Sequence, residues 1–494
     1  MIPPIPHIPI LSIIFLCPVV ALFGVLCTPS ENEMRIKWIS AICSGVAMVL
    51  SLWVFFAYDK AQGGLQFVEK FVWAKSVGIS YLLGIDGINA PMVLLTGVVA
   101  FAAVMSSWDM KHPVKEFFAL FMFLVTGVFG VFMSFDMFFF FLFYEVAVLP
   151  MYLLISIWGT INKEYGALKL TLMLLAGSIL ILTGFLALYH WAGLNSFSLL
   201  DIKAVQGSLS PGFQKTLFLG FFIGFGVLAA IWPLHTWSPD GHVAAPTAGS
   251  MLHAGVLMKL GSYGVLRIGV EVLPEGAKYW AGLVAVIAMI NIIYGSFVAI
   301  QQKHLKFLIG YSSVSHMGIV MLGISTLTPD GINGAVFQMF SHGIMTALLF
   351  SSVGWIYQRT HTLKIDELGG LFKKAPVIST FFIIAGLTAL GLPGFSGFMA
   401  EFLVFVSAIK QTPWFGIPVL TSLVMTAFYV LRAVQRSFFG PYNPHHEQHL
   451  DDVSGVYLIG RVVLVAFLLL FGFAPGLMVD VVRATSVNLM SVFS

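Results

Sequence analysis

Charge is scarce in this chain. Only 10% of its 494 residues are Asp, Glu, Lys or Arg, while 59% are hydrophobic. No soluble globular domain has that balance, so a water-facing surface is excluded for most of the chain. The net charge of +3 is too small to suggest a nucleic-acid partner. Cysteine is nearly absent: Cys17, Cys27 and Cys43 lie in or beside the first two apolar runs and form no CxxC pair. They cannot build an iron–sulfur or zinc site alone, so no metal site is expected. There is no Walker loop and no dinucleotide fingerprint after a strand, and hence no nucleotide site to expect. The first apolar run, around Ile8 to Leu26, lacks the basic leader and small-residue cleavage site of a signal peptide and reads as a retained span.

What is present is apolar length. Runs of about 18–25 residues recur along the chain, each long enough to cross a bilayer. They are continuous rather than alternating, which selects helices over barrel strands. The fold class is therefore all-α polytopic membrane protein, with about 14 spans by hydropathy. Their cores fall near residues 8–26, 37–57, 88–108, 117–134, 136–157, 167–189, 217–235, 247–270, 280–300, 305–325, 331–357, 376–408, 414–438 and 456–480. Between the second and third, short alternating pieces such as Phe67 to Trp73 predict a hairpin. Loops after odd-numbered spans carry roughly 15 basic residues against roughly 9 on the side of the termini. Arg35, Lys115, Lys163, Arg359 and Lys373 are among the former. Both termini are expected on the outer side of a bacterial plasma membrane.

Two spans carry breaks, the seventh at Trp232-Pro-Leu-His-Thr-Trp-Ser-Pro-Asp240 and the twelfth at Leu390-Gly-Leu-Pro-Gly-Phe-Ser-Gly397. Irregular backbone at membrane depth is tolerated only inside protein or beside a cavity. Interruptions five spans apart suggest two inverted five-helix repeats, helices 4–8 and 9–13. The expected units are residues 1–116 (three N-terminal helices), 117–272 and 273–440 (the two repeats) and 441–494 (helix 14).

Against this apolar background the intramembrane polar residues stand out, because charge at membrane depth is costly and by default functional. Glu145 sits in Phe138-Phe-Phe-Phe-Leu-Phe-Tyr-Glu145-Val-Ala-Val-Leu-Pro150; Pro150 removes a backbone donor and is expected to kink the helix. Lys259 follows His253 by six residues in the eighth span. It either exchanges protons or snorkels toward an interface, as Arg267 lies two turns on. Lys303, His304 and Lys306 open the tenth span, as an anchor or as a relay. His316 and His342 each lie deep in a span with serines nearby, and histidine titrates near physiological pH. Glu401 follows the break in the twelfth span. Each residue has a structural alternative: an ion pair for the acids, a satisfied hydrogen bond for the histidines. As a set, Glu145, Lys259, Lys303/Lys306, His316, His342 and Glu401 are the materials of a proton wire.

The segments around them carry a resemblance. Phe141-Leu-Phe-Tyr-Glu-Val-Ala-Val-Leu-Pro-Met-Tyr152, Pro233-Leu-His-Thr-Trp-Ser-Pro-Asp-Gly-His-Val-Ala-Ala-Pro-Thr-Ala248, Tyr311-Ser-Ser-Val-Ser-His-Met-Gly318 and the Glu401 segment are similar to motifs of the antiporter-like proton-pumping subunits of NADH-quinone oxidoreductase, respiratory complex I. The resemblance covers essentially the whole chain. Glu401 stands where sibling subunits place a lysine in the twelfth helix. The resemblance implies a subunit that moves protons through a central hydrated axis, coupled to redox chemistry elsewhere. FMN, iron–sulfur clusters and quinone would then belong to partner subunits, with no cofactor in this chain. Its partners would be other membrane subunits, including neighbouring antiporter-like ones, and the lipid bilayer. Carried over, Glu145 is the fifth-helix carboxylate, Lys259 the central lysine, His316 and His342 axis residues, and Glu401 the terminal acid. Competing readings are the large subunit of a multi-subunit Na+/H+ antiporter, the membrane subunit of a membrane-bound hydrogenase or a ferredoxin- or F420-linked complex, and a non-transporting structural subunit.

One position departs from the family. Its seventh helix carries a lysine paired with the fifth-helix glutamate, and Leu228 stands in that place here. The lost Coulomb attraction is worth about a few kcal/mol in a poorly solvated site. His253 or protonated Lys259 is expected to take over as the cation for Glu145.

Overall fold

The computed structural model describes residues 8–110, 113–443 and 451–493. Helices α1 (Ile10–Leu26) and α2 (Glu33–Ala57) lead into an antiparallel hairpin, β1 (Gln66–Ala74) and β2 (Ile79–Ile85). Helices α3 (Ala90–Ser106), α4 (Val114–Met133), α5 (Met137–Trp158) and α6 (Lys163–Ala192) follow. A short α7 (Leu199–Ala204) returns the chain to the seventh span. That span is split into α8 (Pro211–Leu228) and α9 (Trp237–Ala244). The eighth comprises α10 (Thr247–Leu252) and α11 (Met258–Gly264) with wide turns at His253–Leu257 and Val265–Val270. Next come α12 (Pro274–Gln301), α13 (Leu305–Ser325) and α14 (Pro329–Thr360). The twelfth span is split into α15 (Pro376–Ala389) and α16 (Ser396–Gln411), before α17 (Gly416–Phe438), α18 (Val456–Phe473) and α19 (Gly476–Met490). Among the described residues, 11 helices are long and apolar enough to cross a membrane unaided.

Every expected span has a helical counterpart, with two differences. The fifth helix runs on through Pro150 to Trp158. The last span, expected to residue 480, stops at Phe473, and α19 begins beyond Ala474-Pro475. Proline cannot continue a helix without losing a hydrogen bond. Helix α19 then meets residues at or near helix ends on the hairpin side. Asp480 pairs with Lys60 at 3.7 Å, the Thr485 hydroxyl accepts from Gly87 N at 2.9 Å, and Ser486 donates to Asn333 at 2.7 Å.

The outer helices show lipid-type faces, with Leu142, Leu149, Leu172, Ile179 and Leu420 exposed. Helix α14 is different: its most apolar 18-residue window is entirely buried. It therefore serves as the central post, and its polar residues meet other side chains rather than lipid or water. On the hairpin side a buried ion network locks the bundle. Arg267 bonds Asp86 at 2.7 Å, Glu271 at 2.7 Å and the Tyr263 hydroxyl at 3.1 Å, and Lys203 holds Glu271 at 2.7 Å. Arg267 thus has two carboxylate partners, rather than reaching outward for water. A buried charge is stable only with such partners.

Candidate functional site

The two breaks give the site its shape, and each is held open by a side chain from another helix. In the seventh span Ala230 adopts a left-handed conformation (φ 54°), which costs a β-carbon residue about 1–2 kcal/mol. Asn291 on α12 compensates: its amide donates to Ala230 O at 3.1 Å, and its carbonyl accepts from Trp232 N at 2.5 Å. The Trp237 indole donates to Val227 O at 2.9 Å, closing the α8 end. In the twelfth span Gly391 (φ +69°) turns the chain so that a β-carbon there would lie 3.1 Å from Glu401 Oε2. A side chain would crowd the carboxylate. Ser396 at the start of α16 is bonded to Ser341 of α14 at 2.7 Å.

Between the breaks runs a continuous line of buried groups. Lys259, 0% exposed, donates from Nζ to Ala254 O and to His342 Nδ1, the latter at 2.6 Å. The contact works in either direction: an ammonium donates to a bare Nδ1, and a neutral amine accepts from an Nδ1–H. The His342 and His316 rings are 5.4 Å apart between centroids. His316 Nδ1 lies 3.1 Å from Glu401 Oε1. Gln338 on α14 reaches both, with Nε2 at 3.3 Å from His316 Nδ1 and 3.2 Å from Glu401 Oε1. Lysine, histidine, histidine and glutamate are thus brought into succession from α11, α14, α13 and α16.

The line extends from Lys259 toward the opposite end of the bundle. His253 is stacked on Trp237 at 5.0 Å and packs edge-on against His242 at 4.7 Å. His242 lies within electrostatic reach of His253, Lys259 and Lys306. Lys306 is 3% exposed and donates to Val243 O at 3.2 Å and Ala245 O at 2.9 Å, capping the carbonyl end of α9. A cation at a helix C-terminus is favoured by the aligned peptide dipoles. Both ring nitrogens of His242 and His253, and Nε2 of His316 and His342, are buried with no protein partner. Buried polar atoms of this kind are normally satisfied by water.

Three sequence candidates fall outside the line. Lys303 is exposed; its backbone carbonyl accepts from Ile365 N at 2.8 Å, tying the start of α13 to the loop after α14. This pairing turns its side chain away from the interior that Lys306 enters. His304 beside it is pushed down to about 4 by burial and by the Lys306 and Lys364 charges, and stays neutral at physiological pH.

Glu145 is the larger departure. It is half-buried on the outer side of α5, in a groove of about 500 Å³ walled by Ile79, Phe138, Phe141, Leu182 and Phe185. Ser178 of α6 lies beside its carboxyl, while Oε1 has no partner among the described residues. Neither expected substitute cation reaches it: His253 is held by Trp237 and His242, and Lys259 by Ala254 O and His342. Phe140, Tyr144, Phe225 and Tyr263 fill the space between α5 and the α8–α11 pair, with ring centroids 6.0–6.2 Å apart. Leu228, fully buried, contributes no charge. The residues that sequence reasoning missed are Gln338, His242 and Asn291. Gln338 and Asn291 do not titrate, and His242 was visible only within a motif.

Comparison with known proteins places this architecture. The family described as NADH:quinone oxidoreductase/Mrp antiporter, TM, matches residues 134–426. NAD(P)H-quinone oxidoreductase chain 4 of Synechococcus elongatus is 38% identical over 488 residues, covering 97% of this chain and 91% of its own. NADH-quinone oxidoreductase subunit M of Rickettsia prowazekii is 34% identical over 491 residues, covering 99% and 100%. Among solved structures, a chain of respiratory complex I from Thermus thermophilus superposes with TM-score 0.89 at 27% identity, covering 97% of this chain and 99% of its own. The protein belongs to the antiporter-like transmembrane family of NADH:quinone oxidoreductases. Its branch is the one whose members are called subunit M or chain 4.

Proposed function

We propose that this chain is a proton-translocating membrane subunit of an NADH-quinone oxidoreductase, and that its own conducting line runs from Lys306, His242 and His253 through Lys259, His342 and His316 to Glu401. The observation that carries the reading is the unbroken, buried succession Lys259–His342–His316–Glu401. Lys259–His342 and His316–Glu401 are in direct polar contact, and the two rings between them are 5.4 Å apart between centroids, within reach of a relay through one water. Redox chemistry and its cofactors belong to partner subunits, so this chain supplies the path and not the driving reaction. The basic loops orient both termini outward in a bacterial plasma membrane, which places Lys306 at the inner side.

Glu145 is not part of that line in this reading. With leucine at position 228, its cation comes from outside the chain or is dispensed with. The Na+/H+ antiporter reading is less favoured, because the line is built from titratable nitrogens and one carboxylate rather than a cage of oxygen ligands.

The test is proton pumping by the assembled complex in sealed vesicles. Lys259→Met and Glu401→Gln are each expected to lower the pumping rate at least tenfold with normal assembly. Pumping at the wild-type rate in either variant would overturn the reading.

A further inference from the structure

The three atoms at the end of the line form a nearly equilateral triangle. His316 Nδ1 to Glu401 Oε1 is 3.1 Å, Gln338 Nε2 to Glu401 Oε1 is 3.2 Å, and Gln338 Nε2 to His316 Nδ1 is 3.3 Å. Seen from Gln338 Nε2, its two acceptors are therefore only about 60° apart, whereas the two N–H bonds of a planar amide diverge by about 120°. The amide cannot direct one hydrogen at each. It serves the histidine or the glutamate, and must turn slightly to change between them. Gln338 is 2% exposed, and among the described residues its Oε1 has no partner to pin the amide in either position.

We propose that Gln338 is a positioning residue that follows the proton from His316 to Glu401 and hinders its return. This rests on the conducting line of the preceding section. Before transfer, His316 carries a proton on Nδ1 aimed at Glu401, and Gln338 also donates to the ionised carboxylate. Nε2 of His316, which has no partner among the described residues, takes a proton arriving from His342, whose ring lies 5.4 Å away between centroids. The Nδ1 proton then passes to Glu401 Oε1: the N–H bond breaks, an O–H bond forms, and one proton has entered the ring for one that left. The histidine is now neutral with its hydrogen on Nε2 and a bare lone pair on Nδ1. The carboxyl, having lost its charge, is the poorer acceptor, because hydrogen bonds to ionised groups are roughly twice as strong. The Gln338 amide therefore turns to Nδ1 and occupies the lone pair through which the proton would return. Release from Glu401 restores the carboxylate and draws the amide back, and a water-relayed shift of the ring hydrogen from Nε2 to Nδ1 resets the tautomer.

The titratable groups facing this triangle are His342 on α14, Lys259 behind it on α11, and Tyr429 on α17. The tyrosine is bonded to Ser312 on α13 at 2.8 Å. None of these donates to Nδ1 of His316 in the structure, so the amide is alone in that role among the described residues.

Gln338→Met keeps the length of the side chain and removes the donor. The readout is infrared difference spectroscopy of the assembled complex with isotope-labelled histidine, which separates the two ring tautomers, alongside proton pumping. The expected result is that Gln338→Met loses most of the tautomer bearing hydrogen on Nε2, while pumping slows about 5-fold. Glu401→Gln is measured in parallel. If Glu401→Gln stops pumping while Gln338→Met leaves both tautomer ratio and rate unchanged, the guard role falls and the conducting line stands. If Glu401→Gln pumps normally, the line itself fails.

Discussion

The two broken helices pose the same physical problem, and the chain completes them differently. Around the twelfth-span break, carboxylate, histidine and amide are in direct contact, and a second histidine and a lysine follow without an apolar interval. On the side of the seventh-span break, the fifth-helix carboxylate, Glu145, is on the far side of a layer of aromatic rings and opens onto an apolar groove. The difference teaches that possession of the right residue types is not connection. Both halves contain an acid in a helix; only Glu401 meets a histidine and an amide there.

The strongest way to break this contrast is to neutralise each acid in turn. Glu401→Gln is expected to slow pumping at least tenfold and Glu145→Gln no more than about 3-fold. Equal losses in the two would show that Glu145 is wired as well, through a route the folded chain does not display. Restoring the absent cation sharpens the same point. In Leu228→Lys, the buried ammonium is expected to cost several kcal/mol. In a double-mutant cycle with Glu145→Gln, thermal unfolding in detergent should give a coupling of about 1–3 kcal/mol if lysine and carboxylate pair across the aromatic layer. No coupling would mean that the layer separates them even with the charge restored.

Smaller effects separate the braces of the two breaks. Asn291→Leu leaves Trp232 N and Ala230 O unpaired in an apolar setting and is expected to cost about 2–4 kcal/mol of stability. Ser341→Ala removes one hydroxyl bond at the other break and should cost about 1 kcal/mol. A reversed order in denaturation would move the structural weight from the first break to the second. The smallest effect concerns His304. Its proton affinity is lowered in the folded protein to about 4, so the unfolded chain binds a proton that the folded one refuses. Between about pH 6.5 and pH 4 acidification therefore draws the equilibrium toward unfolding. His304→Gln is expected to lose part of that acid sensitivity, and pumping above pH 6.5 should not change.

Much of this molecule is legible in its sequence, for identifiable reasons. Apolar length gives the spans, and proline with glycine gives the breaks at Trp232–Asp240 and Leu390–Gly397. The alternation from Phe67 to Trp73 gives the hairpin. Lys259, His316, His342 and Glu401 are conspicuous because a titratable group in hydrocarbon is rare. Their order in space is not legible. Glu401 meets His316 across 85 positions, and His342 meets Lys259 across 83; no local pattern encodes such pairings. Gln338 escapes notice because an amide is unremarkable in a helix as polar as α14. The isolation of Glu145 escapes it because the rings that intervene come from three different spans. The division of the last span at Pro475 was masked by hydropathy averaged over the apolar residues on either side.

Asn291 has a consequence for the order in which the protein is made. Spans enter the membrane from the N-terminus onward, so the seventh arrives before the ninth. Until α12 is in place, Ala230 O and Trp232 N have no Asn291 to meet, and until α13 follows, Lys306 is absent from the end of α9. The first break must therefore spend part of its biosynthesis incomplete, sheltered by water, lipid headgroups or the insertion machinery. The second has no such interval. Ser341 precedes Ser396 in the chain, and the twelfth span finds its brace already waiting.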